Sequence, residues 1–313
     1  MSLGSANPSG DPFQVLCAFL KKESGLIIDA QKRYLVESKM QPIIRREGLS
    51  GFQDLVDILI KNKSAPLVKE VVETMTINET YFFRDKVPFD KFSQVVLPKL
   101  LERPPYKTIR IWSAACSSGQ EPYSIAMILD QMKAQLGGRR FEIIATDLSE
   151  AILAKAREGI YSQFEVQRGL PTPFLLRYFD QKGDKWQIKE SIRQQVSFRR
   201  LNLLGDYTAI GPVDVIFCRN VLIYFDNAGK RDVLTKMKRI LAHDGFMVLG
   251  ASESVLGISN DFVADPVHRM LLRPVDAPAG AATTQATAAP VAPAAKPAQA
   301  VSAAAVRAAI LAG

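Results

Sequence analysis

Along the first hundred residues, apolar side chains recur at the spacing i, i+3, i+4, i+7 that lays them on one face of a helix. Phe13, Leu16, Cys17 and Leu20 make one such face, opened by Asp11 and Pro12 and closed at Gly25. Asp29 opens a second, Val36, Met40, Ile43 and Ile44, which ends at Gly48. Ser50 precedes a third, Phe52, Leu55, Val56 and Leu59, and Ser64 with Pro66 opens a fourth that buries Leu67, Val71 and Met75. The segment predicts a small all-helical domain.

After about residue 105 the period changes. Short apolar runs alternate with helical ones: TIRIWSA, a helix from Glu121 to Gln135, FEIIATD, then SEAILAKAR, which predicts βαβ units around a parallel sheet. QQVSFRR, PVDVIFCRN and GFMVLGASE add strands, and VHRMLLRP reads as an antiparallel edge strand. KWQIK and SIRQQVSF, between Gly183 and Arg200, read as a small antiparallel excursion. From about Val275 to Ala300 the chain is rich in Ala, Pro and Thr with almost no charge, so it buries too little surface to offset its ordering entropy. That stretch predicts a flexible linker to a weak helical stub, VSAAAVRAAILAG.

A chain of 313 residues, 47% hydrophobic and 23% charged, buries a sizeable core. No apolar run approaches the roughly 20 residues of a membrane span, and MSLGSANPSGDP lacks the basic flank and apolar stretch of a leader, so a cytoplasmic protein is expected. Cys17, Cys116 and Cys218 lack metal-ligand spacing and are odd in number, which indicates buried thiols and neither a disulfide framework nor a metal site. His243 and His268 stand beside no nucleophile, and His243 in LAHDG reads as a cap contact at a helix end. Chemistry built on a histidine base is thereby disfavoured. The formal charge of +8 fits nucleic acid, an anionic surface or an acidic protein partner and does not choose among them.

Two strand ends carry candidate chemistry. IRIWSAACSSGQEPYS opens from a strand into small residues before a helix, so the backbone there approaches a ligand closely and the helix start supplies oriented N–H groups. With one glycine where a dinucleotide fingerprint has three, the same pattern also suits a tight turn. FEIIATD places Asp147 at the end of the next strand, where a carboxylate accepts hydrogen bonds from a ribose diol; capping the following helix is the competing task, for which Ser149 is better placed. Together they point to a nucleoside cofactor without naming it.

NETYFFR at 78–84, WSAACSSGQEPYS at 112–124, ATDLS at 145–149, NLL at 202–204 and CRNVLIYF at 218–225 resemble, in order, the motifs of the chemotaxis receptor methyltransferase family, CheR. The resemblance runs from about Asp11 to Pro274. It implies an all-α N-terminal domain over 11–85 and an α/β domain over 86–274. The latter would be a class I methyltransferase with a Rossmann-like doubly wound sheet and a small antiparallel β-subdomain at about 180–200. The tail would be 275–313. S-adenosylmethionine is the implied cofactor and S-adenosylhomocysteine the product. Asn78, Thr80 and Arg84 would contact the methionine end, Glu121 the amino group and Asp147 the ribose hydroxyls. Asn202 and Leu203 would flank the adenine, Arg219 and Asn220 would line the strand end beside the sulfonium, and Tyr224 would sit near the transferred methyl. Arg84 and Tyr224 are the implied catalytic pair. Each has a plainer reading: Arg84 paired with Asp85, Glu121 favouring a helix start, Tyr224 packed beside Phe225.

The implied activity is a protein-glutamate O-methyltransferase acting on chemoreceptors; the rival is a non-catalytic module that binds the cofactor or its product. Glutamate, with a reference pKa of about 4.3, is already anionic at neutral pH and needs alignment more than a base. The second predicted helix carries Lys32, Arg33, Lys39, Arg45 and Arg46 against Glu37 alone, which reads either as a solvated face or as a surface that docks acidic receptor helices, while no nucleic-acid motif accompanies the charge. Family members that tether to a receptor's C-terminal pentapeptide carry a glycine-containing insertion in the β-subdomain. This chain has only the compact YFDQKGDKWQIKESIRQ, so independence from tethering is expected.

Overall fold

The structure is a computed structural model and describes residues 10–61 and 64–275. The linker and stub expected after Val275 lie outside the described residues. Four helices form the first unit: α1 (Pro12–Ser24), α2 (Arg33–Arg46), α3 (Phe52–Lys61) and α4 (Ala65–Met75). Asp11 caps α1 by accepting the Phe13 N–H at 3.2 Å, and Gly25, at φ 78°, closes it in the left-handed conformation that a glycine adopts without a Cβ clash. Phe13, Leu16 and Leu20 are buried as their spacing predicts, whereas Phe19 takes the inward place expected of Cys17, which is half-buried. Asp29 caps a short 3₁₀ turn, Ala30–Lys32, and α2 follows it without a side-chain cap of its own. The expected apolar faces of α2, α3 and α4 close on α1 in one core that Met75 completes.

Phe82 already belongs to a second core, edge-on to Tyr161 and Phe179. A helical stretch leads into the α/β unit, α5 (Val87–Lys91) and α6 (Leu97–Leu101) joined by a π-turn over Phe92–Val96. The unit's other helices are α7 (Gln120–Gln131), α8 (Glu150–Glu158), α9 (Gln163–Gln167), α10 (Thr172–Tyr178), α11 (Glu190–Arg193) and α12 (Asn227–Ile240). Its strands are β1 (Ile109–Ala114), β2 (Phe141–Asp147), β3 (Ile160–Ser162), β4 (Phe179–Lys182) and β5 (Lys185–Ile188), then β6 (Val196–Arg200), β7 (Val213–Cys218), β8 (Leu241–Leu249), β9 (Phe262–Ala264) and β10 (Leu271–Pro274). Seven of them form one sheet in the order β6-β2-β1-β7-β8-β10-β9, parallel from β6 to β8 and antiparallel beyond. β1 and β7 are neighbours although the chain leaves β1 toward β2. The strand order reverses between them, which opens a crevice at their carboxyl ends.

Three expectations are corrected. The strand in VHRMLLRP is interior, because β9 pairs along its outer side and forms the edge. The small antiparallel sheet, β3-β5-β4, draws Ile160–Ser162 from upstream of 180, while SIR forms α11 and VSFRR joins the main sheet as its parallel edge. His243 lies within β8, exposed, with Nδ1 4.0 Å from Asp244, and makes no helix cap. Among the described residues no helix is long and apolar enough to cross a membrane.

The helical unit is fastened to the α/β unit at both ends. Glu73 of α4 accepts the Ser149 hydroxyl at 3.0 Å and the Glu150 N–H at 3.1 Å, adding an acceptor at the start of α8. At the end of α1, Asn202 donates to the Glu23 carbonyl (2.6 Å), Ile27 N–H donates to the Tyr224 carbonyl (2.9 Å), and Lys21 pairs with Asp226 (2.6 Å).

Candidate active site

Between these two fastenings lies a cleft of about 960 Å³, open mouth included, over the carboxyl ends of β1, β2 and β7. All ten residues singled out from the sequence line it: Asn78, Thr80, Arg84, Glu121, Asp147, Asn202, Leu203, Arg219, Asn220 and Tyr224. They come from five separated segments, brought together because each lies at or just after a strand end or the end of α4.

The small-residue turn after β1 departs from ordinary backbone. Ala115 and Ser117 have φ of 60° and 51°, and Gly119, at 93°, starts α7 where a Cβ would stand 3.1 Å from Ala156 and Tyr123. Asp147 stabilises that turn. Its Oδ2 accepts the Ser117 N–H at 2.9 Å and its Oδ1 the Ser149 N–H at 3.0 Å, while Ser149 caps α8. Burial pushes the Asp147 carboxyl above the usual range, partly offset by these backbone donors.

Arg219 is 1% exposed and serves the protein on three sides. It donates to Glu121 Oε2 (2.9 Å), to the Arg84 carbonyl (2.7 Å) and to Asp85 Oδ2 (2.9 Å), and its guanidinium lies 5.4 Å from the Phe89 ring centre. Glu121 also takes the Ser113 hydroxyl at 2.8 Å. Asp85 is therefore paired with Arg219 and not with Arg84, whose guanidinium instead donates to the Glu79 carbonyl at 2.7 Å and lies 5.7 Å from the Tyr81 ring centre. The Tyr224 phenol is half-buried; burial raises its pKa, and Arg84 pulls it back. Asn78 joins the wall through its carbonyl, which accepts the Ser117 hydroxyl at 2.8 Å. Asn202 is fixed at both ends of its amide, donating to Glu23 and accepting the Leu204 N–H at 3.0 Å, and Leu203 is buried in the core below.

Three lining or supporting groups escaped the sequence reading. Glu79 lies inside a quoted motif without a role assigned to it, and Ser117, expected only as a small residue of the turn after β1, also donates its hydroxyl to the Asn78 carbonyl. Glu253 lies outside all of them, yet its carboxylate holds the backbone of Asn220, Val221 and Leu222. The basic helix is also less free than its composition implies. Arg33 pairs with Asp11 and Glu37, Arg46 with Glu47 and Glu70, and Lys39 donates to the Thr74 carbonyl. Among the described residues Lys32 and Arg45 make no ion pair.

The walls fit S-adenosylmethionine. Asp147 keeps acceptor capacity beyond its two N–H donors for a diol, and Arg219 Nε is a buried donor without a protein partner in a residue that lines the cleft. A family model described as CheR methyltransferase, SAM binding domain, matches residues 78–269, and one described as CheR methyltransferase, all-alpha domain, matches 11–76. The chain is 42% identical over 254 residues to chemotaxis protein methyltransferase 1 of Pseudomonas aeruginosa and 39% identical over 254 residues to chemotaxis protein methyltransferase Cher2 of Pseudomonas putida, in each case over 80% of this chain and 92% of that protein. Chemotaxis protein methyltransferase 1 of Vibrio cholerae is 37% identical over 257 residues, 81% of this chain and 93% of that protein. Both units are matched in order and meet at a cleft suited to the cofactor: the chain belongs to the CheR family of S-adenosylmethionine-dependent methyltransferases.

Proposed function

We propose that this methyltransferase acts in the cytoplasm on glutamate side chains of bacterial chemoreceptors, forming glutamyl methyl esters. The observation that carries the reading is that Arg84 and Tyr224 both line the cleft, the Arg84 charge acting on the Tyr224 phenol, with no histidine among the lining residues. When bound, S-adenosylmethionine supplies an electrophilic methyl whose transfer to a carboxylate oxygen moves no proton. The chain's residues then have two tasks. Asp147, Asn202, Leu203, Glu121, Arg219, Asn220, Asn78 and Thr80 hold the cofactor. Arg84 and Tyr224 orient the incoming carboxylate: the guanidinium offers charge and fixed donors, and a phenol with a raised pKa remains a hydrogen-bond donor at neutral pH. Alignment of this kind is worth about 7–11 kcal/mol at most. A module that only bound the cofactor would leave Arg84 and Tyr224 without a task.

The acidic receptor helix docks on the basic segment of α2 and the 3₁₀ turn before it, chiefly through Lys32 and Arg45, which make no ion pair among the described residues, whereas Lys39 donates to the Thr74 carbonyl. Independence from pentapeptide tethering is supported by the connection between β4 and β5, which is only Gly183 and Asp184. The test is transfer of labelled methyl from S-adenosylmethionine to membranes bearing chemoreceptors, followed by alkaline release of methanol, with Arg84→Ala in parallel. Base-labile label that is lost in the variant is the expected result. Cofactor binding without transfer to any receptor preparation refutes it.

A further inference from the structure

Glu253 follows β8 in the segment GASES and lies, in sequence, outside the motifs that mark the cleft. Its carboxylate accepts four backbone N–H groups. Oε2 takes those of Asn220 (2.6 Å) and Gly250 (2.9 Å), and Oε1 those of Val221 (3.0 Å) and Leu222 (2.8 Å). A carboxylate has about four acceptor sites, so this one is saturated by backbone. Three of the donors are consecutive and belong to the turn that leaves β7, where Asn220 is held at φ 57° before the 3₁₀ turn Leu222–Tyr224. The end of β8 is shaped to admit the carboxylate: a Cβ on Gly250 would stand 2.7 Å from Glu253 Oε2 and 3.0 Å from Asn220 N.

The geometry points to Glu253 as a positioning residue for methyl transfer, acting through the 220–224 turn to set Tyr224 on the cleft wall. The inference rests on the role assigned to Tyr224 above. The turn is held from two sides, by Glu253 at its start and by the Ile27 N–H on the Tyr224 carbonyl at its end. Without the carboxylate, three successive N–H groups converge on one point with no acceptor, and a non-glycine residue in the left-handed region loses the bonds that keep it there. Misplacement of a reacting group's partner by about 1 Å costs on the order of 100-fold in rate.

Glu253→Gln tests this with minimal change in shape. Whichever way the amide turns, two of the four N–H groups face a donor. The rate constant kcat for methyl transfer to receptor-bearing membranes is measured in wild type, Glu253→Gln, Tyr224→Phe and the double variant. The expected result is a fall of about 10- to 100-fold for Glu253→Gln, with the same substitution changing kcat less than about 2-fold once Tyr224 is Phe. If Glu253→Gln does not fold, Glu253→Asp, which keeps the charge and withdraws the oxygens, is read the same way. Glu253→Gln at the wild-type rate beside a slow Tyr224→Phe overturns the inference alone, as does an equal fall in both backgrounds. Tyr224→Phe at the wild-type rate overturns the reading of Tyr224 and this inference with it.

Discussion

Replacing Arg219 by methionine keeps much of the side chain's bulk and removes a charge that is 1% exposed. Three acceptors lose their donor: Glu121 Oε2, the Arg84 carbonyl and Asp85 Oδ2. Removing one partner from a buried ion pair costs about 3–5 kcal/mol, because the other charge stays behind desolvated. Asp85, at 28% side-chain exposure, rehydrates, so the loss concentrates on Glu121, at 11%. The lower end, about 3 kcal/mol, is therefore expected in urea unfolding at 25 °C. Glu121→Gln alone leaves Arg219 on Asp85 and the Arg84 carbonyl and costs about 1 kcal/mol. In the Arg219→Met background, however, the same change neutralises the orphaned charge while the amide oxygen still takes the Ser113 hydroxyl, so the double variant is more stable than Arg219→Met by about 1–2 kcal/mol. The ordering refutes the reasoning if it fails. Arg219→Met no worse than Glu121→Gln, or losses that add within about 0.5 kcal/mol, would mean that the bridge does not hold this wall.

Gly25→Ala places a Cβ 2.2 Å from the Phe225 ring at a φ of 78°, so left-handed strain and overpacking add to about 2–4 kcal/mol of destabilisation in urea unfolding; an unchanged midpoint would contradict the close approach of the two units. The Lys21–Asp226 pair predicts a pH signature. The hydrogen bond from Lys21, aided by the Gly229 N–H, holds the Asp226 carboxyl below the usual range, so its contribution is complete above the unfolded value of about 3.9 and disappears as pH falls through the lower folded value. Lys21→Gln is expected to melt about 2 °C below wild type at pH 7 and level with it once Asp226 is protonated; a gap that persists at the acid end would assign the loss to packing.

Local pattern revealed the helical unit because Val36, Met40, Ile43 and Ile44, like their counterparts in α3 and α4, bury one face each, and periodicity reports burial directly. The cleft was legible for a different reason. Strand ends that bind ligands carry unusual residues in short runs, and the residues singled out in NETYFFR, WSAACSSGQEPYS, ATDLS, NLL and CRNVLIYF all line it. What escaped depends on approach in space. β3 has three residues and its partner β5 lies some 25 positions on, too little for an alternation to show. The partners of Arg33 and Arg46 lie 22 and 24 residues away, on Asp11 and Glu70, so a count of charges along α2 overstated its free surface. Glu253 reaches the turn after β7 only because β7 and β8 are neighbours, and nothing in GASES itself marks an acceptor for someone else's backbone.

The distribution of strain connects these particulars. Among the described residues, six that are not glycine have positive φ: Phe83, Asp85, Lys86, Ala115, Ser117 and Asn220. All belong to the three loops around the cleft, and conformations of this kind cost about 1–3 kcal/mol each, so they persist only where the surroundings hold them. In each loop the holder is a charged side chain bonded to backbone: Arg219 on the Arg84 carbonyl, Asp147 on the Ser117 N–H, Glu253 on the Asn220 N–H. A reaction that requires alignment and no base suits a site built this way, since charge spent on backbone fixes geometry without offering a proton. The three clamps differ in what else they face. Asp147 and Arg219 line the cleft, where the proposed reading gives them the cofactor as well, whereas Glu253 does not line it. Substitutions at Asp147 and Arg219 should therefore weaken cofactor binding and slow transfer together. At Glu253 the rate should suffer out of proportion to affinity, and calorimetric titration of S-adenosylhomocysteine beside the kinetic assay separates the two.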